Sequence, residues 1–148
     1  MKYFFLVLLL IATAKCNAGA WGIGSFENDG ALDWINELIH FDSASTISKT
    51  LETPLNQGYI DLDTCSYVIA AAEVVSAMSA GDLSTLPNEL QEWLSQKDWK
   101  IDNDLKAMAL KSINVCLDTS KSELAQLWYE TSFKDWTSVV KELQGRLQ

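Results

Sequence analysis

The sequence predicts an all-α domain, and three observations carry that prediction. Apolar residues recur at helical spacing in six or so segments, none of them long. No stretch alternates in the manner of a strand, and no internal repeat or low-complexity segment interrupts the chain. One segment, Asp61 to Gly81, carries a single charge (Glu73) between Asp63 and Gly81, so it reads as the central helix of a bundle.

The elements follow in order. Ala31, Trp34, Ile35, Leu38 and Ile39 share one face of a first helix, with Asp33, Asn36 and Glu37 opposite. Asn28 and Asp29 suit its start, through a side-chain acceptor and a negative charge at the positive end of the dipole. Ala44, Ile47, Leu51 and Leu55 make a weaker second helix limited by Pro54. The central helix is third, with Gly81 placed for a left-handed cap. Pro87 and Glu89 open a short fourth, presenting Leu90, Trp93 and Leu94. Asp102 and Asp104 precede a fifth that carries Leu105, Met108, Ala109, Ile113, Cys116 and Leu117. Ser120-Lys121-Ser122-Glu123 has the form of a capping box ahead of Leu124, Leu127 and Trp128. After a break near Ser132 the period resumes at Trp136, Val139, Val140, Leu143 and Leu147. Short connections predict mostly antiparallel neighbours.

The chain begins with Lys2 and an apolar run from Tyr3 to Ala14, followed by Cys16-Asn17-Ala18. That pattern predicts a signal peptide over 1–18, cut after Ala18, and a single domain over 19–148. The run is shorter than the ~20 residues a spanning helix needs, so no stable membrane span is expected after cleavage. The implied location is the periplasm or the exterior. Loss of Lys2 and Lys15 moves the formal charge from -9 to -11. Such acidity disfavours nucleic-acid phosphates and anionic lipid, and it suits a basic protein partner or simple solubility.

Cys65 and Cys116 are the two cysteines left after cleavage. In an oxidising compartment they either bridge or serve as two small buried hydrophobes, with the bridge slightly favoured. Closing a loop of about fifty residues is worth about 4 kcal/mol on the chain-entropy model.

Chemistry is sparse. His40 is the only histidine and sits at a helix end; no zinc spacing, Walker loop or nucleophile context is present. No catalytic residue, metal site or cofactor is predicted. Trp99, with Asp98 beside it and Asp102 nearby, reads as an exposed interface anchor in a loop.

The stretch Trp21-Gly22-Ile23-Gly24-Ser25-Phe26-Glu27-Asn28-Asp29 reads as a structural lead-in. Gly22 and Gly24 let the chain bend twice, and Trp21 and Phe26 are expected to turn inward. It lacks the third glycine, strand and lysine of a phosphate loop, and its acids fit no calcium-loop spacing. This opening, with Ala31-Leu32-Asp33-Trp34, resembles the start of the bacterial family catalogued as domain of unknown function 4259. So do Ala70 to Ala77, Pro87 with Glu92-Trp93, and Ser122 to Trp128. The resemblance implies no activity and no site residue. Where that family usually has a second acid after Asn-Asp, this chain has Gly30.

Charge, size and missing chemistry together predict a non-enzymatic, exported interaction module, such as an immunity or inhibitor protein against a basic toxin or hydrolase. The alternatives are a small-molecule binder with an apolar pocket between helices, and a hydrolase built on paired carboxylates.

Overall fold

The central helix, Leu62–Ala80, is buried on all sides along most of its length, and the other elements are arranged around it. The computed structural model describes residues 20–148; the expected signal peptide lies outside them. Seven α-helices form among the described residues: α1 Asp29–Phe41, α2 Ala44–Glu52, α3 Leu62–Ala80, α4 Asn88–Leu94, α5 Asn103–Leu117, α6 Glu123–Tyr129 and α7 Phe133–Arg146. A 3-10 turn, Thr53–Asn56, follows α2.

Why α3 takes the centre is legible in its side chains. Val68, Ile69, Val74 and Val75 fill volume, while Ala70, Ala71, Ala72 and Ala77 let neighbouring backbones close in. Its most extensive partners are α5 and α1, and it also meets α2, α6 and α7. Asp61 caps its start by accepting from the Thr64 amide, and Gly81 ends it at a φ of 69°. Cys65 and Cys116 are disulfide-bonded across α3 and α5, with Cα atoms 5.4 Å apart.

Three expectations are corrected. Helix α2 stops at Glu52 because the chain tightens into the 3-10 turn; Pro54 enters the core and Leu55 faces solvent. The cap of α6 is Ser122, not Ser120: the Ser122 hydroxyl accepts from the Ala125 amide at 3.1 Å. Ser120 instead folds back onto Asp118, and Glu123 reaches the first amide of α3, accepting from Leu62 at 2.9 Å. One helix's first residue thus caps another helix. Ile60 and Ser122 form a one-residue parallel bridge beside this contact.

The third correction concerns Trp99. It is half-buried, edge-on to Trp93 with ring centroids 5.3 Å apart. The Lys97 ammonium lies 4.5 Å from the Trp93 ring and binds the Asp42 carboxylate at 2.5 Å. Asp42 ends α1 in the left-handed region, φ 47°, which Asp tolerates better than most residues. Lys97, held over the Trp93 ring, therefore ties the end of α1 to the α4–α5 connection.

Candidate functional site

The lead-in over 20–28 closes on itself before α1 begins. Ala20 and Asn28 form a one-residue antiparallel bridge, and the amides of Trp21 and Gly22 both donate to the Glu27 carbonyl. The Glu27 carboxylate folds back into the turn and accepts from the Gly24 amide at 2.8 Å. Neither Gly22 nor Gly24 has a positive φ. Their role is space: a Cβ at Gly22 would stand 2.2 Å from Glu27 Oε2, and one at Gly24 would stand 2.8 Å from it. Asn28 accepts from the Ala31 amide at 2.7 Å and so caps α1, while Asp29 opens that helix.

Phe26 and Ile23 pack on the core, but Trp21 is 60% exposed, against expectation. The backbone pairing at positions 21 and 27 fixes the turn, and Ile23 takes the inward place. Beneath the lead-in only about 10 Å³ remains, among Ile69, Leu124, Trp128 and Trp136, at the limit for one water. The segment is a lid on the core and leaves no ligand room there.

It is fastened from below. Ser25 donates to Glu73 at 2.8 Å, and Arg146 of α7 binds the same carboxylate at 2.5 Å. Glu73 is buried in the middle of α3, so one acid ties both the lead-in and the last helix to the central helix.

Open space lies elsewhere. A groove of about 560 Å³ runs between the end of α1, one side of α2 and the first turns of α3. Glu37 and Phe41 form one wall, Thr46, Lys49 and Thr50 another, and Tyr67 lies between them. Burial first, then the carboxylates of Glu37, Asp63, Asp33 and Asp61, raises the Tyr67 phenol above its ordinary value. A shallower depression of about 350 Å³ adjoins it across Ser45, with Asp102, Asp104, Leu105 and Met108 on its far side.

The sequence-predicted interface residues do not form one patch. Asp102 caps α5, accepting from Leu105 at 2.8 Å, and lines the shallow depression. Asp98 is exposed and Trp99 is packed on Trp93. Glu37 and Tyr67 escaped sequence reasoning because their meeting depends on how α1 crosses α3. The one available signal was Tyr67 four residues after Asp63, which puts both on one face of the helix.

His40 is exposed at the end of α1, its ring against Phe41. Among the described residues, no three His, Cys, Asp or Glu side chains gather to hold a metal, and no helix is long and apolar enough to cross a membrane. Asp82 and Asp118 are held below the ordinary carboxylate value by hydrogen bonds from Ser84 and Ser120, the opposite of what a general acid requires.

Comparison with known proteins places these features in context. The family described as Domain of unknown function (DUF4259) matches residues 19–139. No curated protein and no solved structure matches.

Proposed function

Because the chain belongs to the DUF4259 family, whose description names no activity, we propose a function from its own surface: a non-enzymatic module that docks a basic protein partner. The observation that carries this reading is the pair of adjoining depressions across Ser45, with Glu37 on one side and Asp102 and Asp104 on the other. A net charge of -9 over the whole chain steers a cationic partner toward such a surface. An immunity or inhibitor role against a basic toxin or hydrolase fits this design. The disulfide supports an oxidising compartment, and with the apolar N-terminal run of the sequence it supports export.

The test is affinity capture with the tagged domain at low salt, read by mass spectrometry. One enriched cationic protein is expected, lost at high salt and lost when Glu37 and Asp104 are both changed to Lys. Capture indifferent to that charge reversal would sink the reading.

Small-molecule binding is the second reading, and the 560 Å³ groove is what favours it, since ligand sites span roughly 300–1,000 Å³. The groove, however, is open to solvent and several Ser and Thr residues stand among its apolar surface, whereas a small-molecule site is usually enclosed. A paired-carboxylate hydrolase has less support, because the two displaced carboxyls are both held low.

A further inference from the structure

The groove between α1, α2 and α3 holds polar groups of two kinds. Several hydroxyls are already committed: Thr50 accepts from the Trp34 indole and donates to the Thr46 carbonyl, Thr53 donates to the Lys49 carbonyl, and Thr64 donates to Asp61. The Glu37 carboxylate and the Tyr67 hydroxyl have no side-chain hydrogen bond or ion pair among the described residues. Beside them Phe41 is 62% exposed at the end of α1. A carboxylate and two rings around one space are the elements of a cation site, since ring faces and a carboxylate both attract a positive head.

We infer that this groove seats the head of a single lysine or arginine side chain carried by the partner protein, with Glu37 as counter-ion and Phe41 and Tyr67 as walls. The inference rests on the docking reading above and narrows it to one anchor. Charge complementarity selects the occupant. After burial, the carboxylates of Glu37, Asp63, Asp33 and Asp61 all act on the Tyr67 phenol, Glu37 the most. Lys49 lines the same space from α2, so a positive head seats on the Glu37 side and the rest of the groove disfavours a further one. One isolated basic side chain therefore fits better than a polybasic run.

The experiment is an NMR titration of the protein with Nα-acetyl-lysine methylamide and, separately, with the uncharged Nα-acetyl-norleucine methylamide. Saturable shifts around Glu37, Phe41 and Tyr67 are expected with the lysine probe and not with the norleucine probe. Glu37→Gln and Tyr67→Ala should each weaken binding by about threefold to thirtyfold, while Tyr67→Phe, which keeps the ring, retains it. Equal shifts from both probes, or no saturation near these residues, would overturn the inference. Tighter binding of tetramethylammonium than of the lysine probe would overturn its commitment to a protein-borne side chain. A salt-sensitive complex with a whole cationic protein that survives both weakening variants overturns the anchor and leaves the docking reading standing. Saturable lysine binding without any such complex overturns the docking reading and, with it, the assignment of the occupant to a partner protein.

Discussion

Arg146, in the last turn of the last helix, binds Glu73 in the middle of the central helix at 2.5 Å. Arg146 is the chain's single arginine, and Glu73 is the one charge in the buried stretch of α3. Its other carboxylate oxygen accepts from Ser25, so removing either donor leaves a buried acid short of a partner. Arg146→Ala should cost about 1–3 kcal/mol, moderated because the arginine side chain is partly in water. Glu73→Met removes the charge as well as the pair and should cost less than Arg146→Ala. Urea unfolding of both variants and of their combination checks the ranking. Arg146→Ala at wild-type stability would remove the pair as a structural tie.

Gly22 and Glu27 should be coupled. Gly22→Ala pushes a methyl into the Glu27 carboxylate and breaks its hydrogen bond to the Gly24 amide, a loss of about 1 kcal/mol. In a Glu27→Gly background the whole obstructing side chain is gone, including the Cβ that would stand 3.1 Å away, and φ at position 22 is not positive. There the same Gly22→Ala change should stabilise by about 0.5 kcal/mol through the unfolded chain. A thermal-melt double-mutant cycle shows whether the sign reverses; additive effects would mean the glycine is required for its backbone instead.

The disulfide joins residues 51 positions apart. Replacing both cysteines with Ala should lower stability by about 2–4 kcal/mol. Denaturation of the wild type with and without a thiol reductant should show a matching shift, and the double variant should ignore the reductant. Equal midpoints under both conditions would show that the bridge adds nothing to stability.

Alkaline pH should reveal Tyr67. Its folded pKa lies above the ordinary 10.0, so the unfolded chain releases that proton first as pH climbs. This contribution is intact below pH 10 and is lost as pH rises through the folded value. Tyr67→Phe should therefore flatten the alkaline fall in stability. Phenolate absorbance should show one tyrosine titrating late, and added salt should move it back only partway, since burial is the larger cause. A wild-type curve identical to that of Tyr67→Phe would contradict the assignment.

Much of the fold could be read directly because it rests on local rules. Asn28 and Asp102 cap the helices they precede, and Gly81 ends α3 in the left-handed region. The misreadings came where a distant partner outcompeted a local one. Glu123 looked like the far half of a capping box, but the α3 amide at Leu62 holds it instead. Trp99 looked free because nothing in its neighbourhood of sequence shows that Lys97 bends back over Trp93 toward Asp42. Leu55 carried the right period for α2, yet the 3-10 turn rotates it outward and brings in Pro54. The groove was invisible for the same reason: Glu37 and Tyr67 are thirty residues apart, and only the crossing of α1 and α3 brings them to one space.

The Glu27 carboxylate lodged in its own glycine turn has a consequence for any anion that approaches the lead-in. A tethered carboxylate three residues from Gly24 acts as an intramolecular competitor, with an effective concentration far above that of free phosphate. An incoming anion must displace it, gains no lysine in return, and meets a protein of the same sign. A turn that could be mistaken for a phosphate cradle is thus inhibited by its own side chain, and the glycines that suggest binding are the ones that make room for the inhibitor.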